Sequence, residues 1–335
     1  MEKEKIKELD FFRAIAAVLV LLYHYTTRYN ISFGHIKTPY YLDVSFGCMG
    51  VSIFFILCGF LSILKINTQK SAKKFLVRRL IRLYPAYLIS MFLTSLIIAL
   101  AGEEFNDRCV SMKDWFINLT MVPSYFGARP IDGVYWTLGI EIIFYVLVAV
   151  IITFKKQNNI EKLSLIWIVV SVITNTLLVY NKNSILKALR ILCITEYSQL
   201  FIIGIIMKLL YKKENTKLSY IIILLCFINQ YIALGINYTV FVLIFTIIFY
   251  IIIVKKICIS EKVNNYFIAF IAKISYPLYL THQFIGFVII NKLEKLGFIN
   301  EFYILIPIAI SIGIAYLINK AELYIRNILN NKLKI

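Results

Sequence analysis

The first apolar segment of the chain carries three ionisable side chains, Asp10, Arg13 and His24. Because an α-helix turns once in about 3.6 residues, Arg13 and His24 project from one face, about 16 Å apart along the axis. Asp10 lies one turn before Arg13 on the same stripe. An imidazole inside a membrane can exchange protons near neutral pH. The alternative interpretation is a packing histidine with interfacial anchors at Asp10 and Arg13.

A cluster of basic residues follows the second apolar segment, and in it Arg79 and Arg82 lie one helical turn apart, just before Tyr84. The planar guanidinium group matches phosphate oxygens in a bidentate way that an ammonium group does not. The pair therefore indicates a site for a phosphorylated ligand that arrives from the cytoplasm. Anionic lipid headgroups would satisfy the same residues, and positive charge on the cytoplasmic side of a membrane protein requires no ligand.

Three further ionisable residues, Glu141, Glu196 and His282, lie within later apolar segments. Counting helix turns places Glu141 about 10 Å inside the outer boundary and His282 about 18 Å above the cytoplasmic end of its segment. Together with His24, they are predicted to form one central-to-outer layer carried by four helices. Such a layer is typical of a proton relay, a transport pathway or an acid–base site, and structural ion pairs are the alternative.

The elements that must position these side chains are membrane helices. Of the 335 residues, 60% are hydrophobic and 16% are charged, with a mean hydropathy of +0.79. Soluble domains contain about 45–50% apolar and about 25% charged residues, so an aqueous surface cannot accommodate this composition. The composition predicts an integral membrane protein and leaves no room for a soluble catalytic domain at either end.

About ten apolar segments approach the roughly 20 residues that a membrane helix needs. They lie at about 10–27, 44–64, 83–101, 134–154, 163–180, 188–207, 218–235, 238–254, 270–291 and 302–319. Lys and Arg favour the connections on the side of the termini, about 25 against about 10, as cytoplasmic loops do. The sequence therefore predicts an all-α, polytopic bundle of about ten transmembrane helices with cytoplasmic termini, in a single domain over residues 1–335 with no fused soluble domain.

The formal net charge of +18 does not indicate a nucleic-acid partner. A nucleic-acid-binding protein concentrates its basic residues on a soluble face, whereas here they lie in short clusters between apolar segments. The six cysteines form neither a disulfide framework nor a pattern with metal-ligand spacing. We therefore expect no nucleic acid and no metal.

Five motifs, taken in order, carry a resemblance to a known family. They are Leu9-Asp10-x-x-Arg13 followed by His24, the stretch from Gly47 to Leu61, Arg79-x-x-Arg82-Leu-Tyr84-Pro85, Tyr135-Trp136-Thr137-Leu-x-x-Glu141-x-x-Phe-Tyr145 and Ser275-Tyr276-x-Leu-Tyr279-Leu-x-His282. With them the chain resembles, over nearly its whole length, acyltransferase family 3, integral membrane enzymes that O-acetylate bacterial surface polysaccharides and related molecules. Cys58 and Thr137 stand where that family usually has serine.

The resemblance implies an O-acetyltransferase that takes acetyl groups from acetyl-CoA on the cytoplasmic side and delivers them to a sugar hydroxyl of a surface polysaccharide or lipid-linked glycan. By the same resemblance, Arg13, Arg79 and Arg82 bind the coenzyme phosphates. His24 acts as the base or as a transient acyl carrier. Glu141 orients or charge-balances the imidazole, or binds the acceptor hydroxyl. Acetyl-CoA, or another acyl-CoA, is a co-substrate, and no permanently bound cofactor is expected.

The remaining polar and aromatic residues of the motifs and of the layer are expected to support the site. They are Asp10, Tyr84, Trp136, Glu196, Tyr279 and His282, the last as a second polar wall. The aromatic members can stack on a sugar ring, but aromatic residues are also abundant at membrane interfaces. The expected partners are acyl-CoA, a glycan acceptor and the lipids of the cell (inner) membrane, in which the protein is multi-pass.

A glycan transporter or flippase that uses the same polar layer is the alternative function. Secondary transporters often carry inverted repeats or matched pairs of Gly/Pro-broken helices. Neither sign is visible in this sequence, and the enzyme is favoured mainly because of the family resemblance.

Overall fold

The computed structural model describes residues 6–34, 43–64, 66–69, 71–181, 183–257, 265–298 and 301–333. Within these ranges all regular structure is helical, which confirms the all-α prediction. The α-helices are α1 (Glu8–Tyr23), α2 (Tyr29–Phe33), α3 (Gly50–Ile63), α4 (Ala72–Leu100), α5 (Met112–Asn118), α6 (Trp136–Thr153), α7 (Ile160–Tyr180), α8 (Ser184–Leu192), α9 (Ser198–Lys212), α10 (Leu218–Leu234), α11 (Ile236–Phe249), α12 (Tyr266–Lys295) and α13 (Leu305–Leu333).

Seven helical segments of the described chain are long and apolar enough to cross a membrane, judged by length and composition. They are Glu8–Phe33, Ser45–Ile63, Ala72–Leu100, Gly133–Thr153, Gln157–Tyr180, Ile236–Val254 and Phe302–Leu333. The helix Leu218–Leu234 is also apolar but shorter. These segments support a multi-pass membrane protein. The total of ten spans and the cytoplasmic position of both termini stay predictions.

The sixth predicted helix, over residues 188–207, is not continuous. The chain instead forms α8 and α9, which are separated by a turn at residues 193–197. Ile194 in this turn has a positive φ of 44°, a conformation that ends a right-handed helix. Glu196 therefore lies in a turn, and its predicted place inside a helix is wrong.

Buried amide side chains explain why the helix is interrupted there. The side-chain amides of Asn175 and Asn229 both donate to the carbonyl oxygen of Thr195, at 2.9 and 3.0 Å. A buried carbonyl needs a partner, and these two amides replace the N–H that a continuing helix would supply. Hydropathy does not detect such an interruption, because the residues on both sides of it are apolar.

The chain folds into two compact units, each built from three separate stretches of sequence. The first unit comprises Met1–Leu9, Val51–Leu76 and Ile140–Asn264, and the second comprises Asp10–Gly50, Val77–Gly139 and Asn265–Ile335. The prediction of a single domain stays a prediction.

Close helix packing in the first unit depends on two glycines. A Cβ atom at Gly59 would lie 2.2 Å from the backbone oxygen of Phe201, and one at Gly204 would lie 2.1 Å from that of Ile56. Small residues let helix backbones approach closely, which is a principal source of helix association within membranes. α3 and α9 therefore pack with their backbones in contact.

Candidate active site

His24 is the first residue of a π-helical turn, His24–Arg28, that follows α1 directly. π-Helical turns are rare, and they occur often at functional sites because the additional residue changes the direction of the side chains. Tyr25 in this turn and Tyr29, the first residue of α2, are completely buried, whereas His24 is half-buried. The turn thus places two large tyrosines in the core and keeps the imidazole at a partly accessible position.

His24 and His282 meet directly in the second unit. Their ring centroids are 4.7 Å apart at an interplanar angle of 83°, and Nδ1 of His24 lies 3.1 Å from Nε2 of His282. His282 is 1% exposed. Two members of the predicted polar layer therefore form one hydrogen-bonded pair.

The hydrogen-bond partners assign the protons of this pair. Nδ1 of His282 faces the carbonyl oxygens of Tyr279 at 2.9 Å and Leu278 at 3.1 Å, so it carries a hydrogen. Its Nε2 then presents a lone pair to His24. Nδ1 of His24 faces that lone pair and the carbonyl oxygen of Val20 at 2.8 Å, so it also carries a hydrogen. Nε2 of His24 keeps its lone pair, and no described residue hydrogen-bonds to it.

This arrangement leaves Nε2 of His24 as the ring nitrogen with a lone pair, and the role of His24 as a base stays a prediction. When Nε2 takes up a proton, the positive charge is stabilised at Nδ1–H by the carbonyl of Val20 and the lone pair of His282. Two imidazolium ions at this distance would repel strongly, so the pair holds at most one positive charge. His282 and the carbonyl of Val20 together hold His24 in one tautomer, as a carboxylate does for the histidine of a catalytic triad. The sequence prediction assigned orientation to Glu141 and described His282 only as a polar wall.

Tyr25 supports His282 and was missed by the sequence analysis. Its hydroxyl donates to the carbonyl oxygen of His282 at 2.9 Å and lies 2.6 Å from the hydroxyl of Ser311. Gly286 leaves room for the ring, because a Cβ atom there would lie 2.1 Å from a ring carbon of Tyr25. The sequence signal for this contact was Gly286, one turn after His282, because a glycine within a helix marks a place where a neighbouring group can approach the backbone closely.

Tyr279 and Thr137 join α12 to the beginning of α6. Their hydroxyls lie 3.0 Å apart, and each is within hydrogen-bond distance of the carbonyl oxygen of Val134. Tyr279 is buried, whereas Trp136 is exposed. Tyr279 therefore links α12 to the beginning of α6. Trp136 is the aromatic residue of the two whose side chain is exposed enough for a sugar ring to stack on it.

Asp132 is a completely buried carboxylate just before the membrane span that begins at Gly133. Its carboxylate accepts from the backbone N–H groups of Val134 at 3.2 Å and Phe284 at 3.4 Å. Burial raises the pKa of Asp132 to about 7, although these hydrogen bonds act in the opposite direction. Asp132 therefore links the start of α6 to Phe284 of α12, which lies two residues after His282. It lies in a long connection, where no residue pattern singled it out.

The predicted phosphate-binding arginines lie in the second unit with Asp10. Arg13 donates to Asp10 at 2.9 Å, as their one-turn spacing predicts. Arg82 interacts electrostatically with both Arg13 and the buried Glu322. Arg79 precedes Arg82 by one turn of α4, and both are partly exposed. The structure thus places Arg13 within electrostatic range of Arg82, and phosphate binding by Arg13, Arg79 and Arg82 stays a prediction.

Glu141 lies in the part of α6 that belongs to the first unit. The hydroxyl of Tyr145, one turn later, donates to its carboxylate. The thiol of Cys58 lies 3.5 Å from both the carboxylate and the Tyr145 hydroxyl. Glu141 therefore has a local hydrogen-bonded environment, and its action on His24 stays a prediction.

Glu196 and Tyr84 have partners outside the histidine pair. Glu196 forms an ion pair with Arg190, whose Nε lies 3.0 Å from the carboxylate. The hydroxyl of Tyr84 donates to the carbonyl oxygen of Leu119, which follows α5. These contacts stabilise the turn before α9 and the packing of α4, respectively. A supporting role of either residue in a reaction stays a prediction.

The sequence profile of a family described as an acyltransferase domain matches residues 6–320. The chain belongs to this acyltransferase family. The match confirms the resemblance that the five motifs carry, and it includes every predicted site residue, from Asp10 to His282. No solved structure matches the chain.

Curated relatives of this acyltransferase-family chain have modest identity. Nodulation protein 10 of Rhizobium leguminosarum bv. viciae is 24% identical over 164 residues, 44% of each chain. ORF330 of Acidianus two-tailed virus is named for an expected acetyltransferase activity. It is 25% identical over 317 residues, which cover 89% of this chain and 88% of ORF330. O-acetyltransferase OatA of Staphylococcus aureus is 29% identical over 180 residues, 47% of this chain and 27% of OatA. The matches thus span less than half of nodulation protein 10 and of OatA.

Proposed function

We propose that the protein is a membrane-bound O-acetyltransferase that moves an acetyl group from acetyl-CoA to a sugar hydroxyl of a surface polysaccharide or lipid-linked glycan. The observation that carries the proposal is the hydrogen-bonded pair of His24 and His282, which leaves an unprotonated Nε2 on His24. The family supplies the reaction class. The name of the relative OatA supports an acetyl donor and an oxygen acceptor.

In the proposed reaction, Nε2 of His24 takes the proton of the acceptor hydroxyl while the hydroxyl oxygen attacks the thioester carbonyl. The new C–O bond forms and the C–S bond breaks, so coenzyme A leaves as a thiolate. The thiolate then takes the proton from Nε2, which regenerates the neutral imidazole. Histidine suits both steps because its pKa in water is close to neutrality.

The same lone pair permits a second route when the acceptor approaches from outside the membrane. Nε2 of His24 attacks the thioester carbonyl, the C–S bond breaks, and coenzyme A leaves as a thiolate that takes a proton from water. The acceptor hydroxyl then attacks the acetyl group on Nε2 and releases its proton to water, and the C–N bond breaks to regenerate the neutral imidazole. Both routes require the hydrogen on Nδ1 and the lone pair on Nε2. Both therefore depend on the contact with His282.

Arg13, Arg79 and Arg82 would bind the coenzyme phosphates. Asp10 and Glu322 offset part of the mutual repulsion between Arg13 and Arg82, and a phosphate bound beside the two arginines would offset more of it, which supports the proposal. The distance along the helix from Arg13 to His24, about 16 Å, matches the reach of an extended pantetheine arm. The thioester would thus arrive near Nε2 while the phosphates stay at the arginines.

The decisive experiment measures release of free coenzyme A thiol from acetyl-CoA by protein purified in detergent, with a panel of mono- and oligosaccharide acceptors. We expect thiol release without any membrane gradient, and slower release for Glu141→Gln, because a neutral amide cannot stabilise an imidazolium. A transporter gives the opposite pattern. Absence of binding to any acyl-CoA, together with glycan movement across sealed vesicles, would overturn the proposal.

A further inference from the structure

A groove with a volume of about 280 Å³ lies in the first unit, beside α6 and α7. Its walls are almost wholly aliphatic and aromatic: α6 contributes residues between Phe144 and Ile151, and α7 contributes residues between Ile160 and Val170. None of the residues assigned to acyl transfer lines it. The groove is therefore a feature for which the proposed reaction provides no use.

The length of the groove corresponds to one leaflet of a bilayer. Along α7 its lining extends from Ile160 to Val170. At about 1.5 Å per residue this is about 15 Å, half of the roughly 30 Å hydrocarbon thickness. Both α6 and α7 belong to segments long and apolar enough to span the membrane. A lipid lying along α7, with its ester region toward Ile160 and its acyl chain toward Val170, would fill this length.

The rim of the groove faces outward. Two lining residues, Val150 on α6 and Ile166 on α7, are 47% and 60% exposed. Apolar side chains exposed within a membrane span contact lipid. The groove therefore opens to the hydrocarbon of the bilayer, and a lipid chain can enter it sideways.

Ser164 contributes the polar atom of the groove that has no partner. The residue is 2% exposed, and its buried hydroxyl oxygen has no hydrogen-bond partner among the described residues. An unpaired buried hydroxyl is unfavourable, so a ligand that offers an acceptor is stabilised there. Ser164 lies one turn from the beginning of α7, about 6 Å along the axis.

Three lysines lie at the same end of the groove as Ile160. Lys155 and Lys156 follow α6, and Lys162 lies in the first turn of α7. All three are exposed, and none forms an ion pair within the part of the chain that the structure describes. The nearby Glu161 accepts hydrogen bonds from Thr216 and Ser219. The lysines therefore supply positive charge for an anionic headgroup.

We propose that this groove binds one acyl chain of an anionic phospholipid. The chain lies along α7, the ester carbonyl accepts from Ser164, and the headgroup phosphate contacts Lys155, Lys156 and Lys162. Because Lys and Arg mark the cytoplasmic side of membrane proteins, the lipid belongs to the cytoplasmic leaflet. The site is independent of the proposed acetyl transfer.

The test uses purified protein in phosphatidylcholine vesicles that contain a phosphatidylglycerol probe with a photoreactive group on its acyl chain. We expect crosslinks in α6 and α7. Val170→Trp should fill part of the groove and exclude part of the acyl chain. We expect labelling to fall about tenfold, which corresponds to the loss of burial of two methylene groups of the chain. Val169→Trp is the matched control, since Val169 is exposed outside the groove and its variant should label like wild type.

The headgroup and ester contacts have their own tests. Lys155→Gln with Lys156→Gln should lower labelling by the phosphatidylglycerol probe but leave labelling by a phosphatidylcholine probe of the same chain unchanged. Ser164→Ala should weaken labelling by both probes. Equal labelling of wild type and Val170→Trp, or labelling spread evenly over the exposed helices, would overturn the proposal. Displacement of the probe by palmitoyl-CoA at low concentration would also overturn it, because the occupant would then be an acyl-CoA chain.

Discussion

Nε2 of His282 lies 3.1 Å from Nδ1 of His24, and this contact, together with the carbonyl oxygen of Val20 at 2.8 Å, determines which nitrogen of His24 keeps its lone pair. The two residues are 258 positions apart in the chain. Backbone carbonyl oxygens of α12 accept from Nδ1 of His282 and orient its ring. The oriented ring in turn presents its Nε2 lone pair to Nδ1 of His24. The reactivity that we propose for His24 is therefore set by a second histidine together with the backbone carbonyl of Val20.

Replacing His24 with alanine should abolish acetyl transfer. A general base contributes typically about 100-fold or more, and removal of a polar group from an apolar segment does not impair membrane insertion. Thiol release and the level of protein in the membrane are measured in parallel. Activity above about a tenth of wild type, at equal protein level, would contradict the role of His24 as base.

Substitutions of His282 separate orientation from packing. His282→Gln keeps an oxygen that can accept from Nδ1 of His24, whereas His282→Leu keeps only the bulk. We expect the leucine variant to lose activity by about 10²-fold or more and the glutamine variant to lose less, because an incorrect tautomer is severely damaging. The pH dependence of the transfer rate should change in the leucine variant. Equal losses in the two variants, with an unchanged pH profile, would indicate a packing role.

Gly286→Ala should displace Tyr25 from its hydrogen bond to His282. The added Cβ would lie 2.1 Å from the ring of Tyr25, which is buried and cannot turn away. A thermal unfolding measurement in detergent should show a clear loss of stability, accompanied by slower transfer. Gly313→Ala is the control: its Cβ meets nothing within 4 Å, so the variant should gain helix stability of up to about 1 kcal/mol. Similar unfolding curves for both variants would argue against a tight contact at Gly286.

Replacing Arg79 and Arg82 by lysine keeps the positive charge and removes the planar guanidinium groups. We expect a higher apparent requirement for acetyl-CoA and unchanged membrane orientation, since orientation depends on charge and phosphate recognition on bidentate geometry. The rate is measured against acetyl-CoA concentration, and orientation by accessibility of the termini. If the double variant matched wild type at low acetyl-CoA, the pair would serve topology alone.

Asp132 should make stability depend on pH. Its pKa of about 7 in the folded protein is higher than that of an unfolded Asp, near 4, so the folded state binds more protons between these values. Stability should therefore fall as the pH rises from about 4 to about 7, with a slope approaching about 1.4 kcal/mol per pH unit, and level off above that range. Asp132→Asn should flatten this dependence. Unfolding curves of both proteins over this range test the expectation, and identical slopes would contradict it.

Local features of the site were accessible from the sequence. Composition alone predicts the membrane helices, because a soluble surface cannot accommodate so many apolar residues. The pairing of Asp10 with Arg13 follows from helical spacing of three residues, and that of Glu141 with Tyr145 from a spacing of four. These contacts require only that the segment is a helix.

The contacts between distant helices were decided by tertiary structure alone. His24 meets His282, and Tyr25 meets His282 and Ser311, through the rotation of each helix about its axis. Hydropathy does not encode that rotation, because in a membrane both the lipid-facing and the buried sides of a helix are apolar. The π-helical turn after α1 and the interruption at Thr195 change the register further, and the interruption depends on side chains remote in sequence. The sequence therefore determined which residues could react, and packing determined which of them touch.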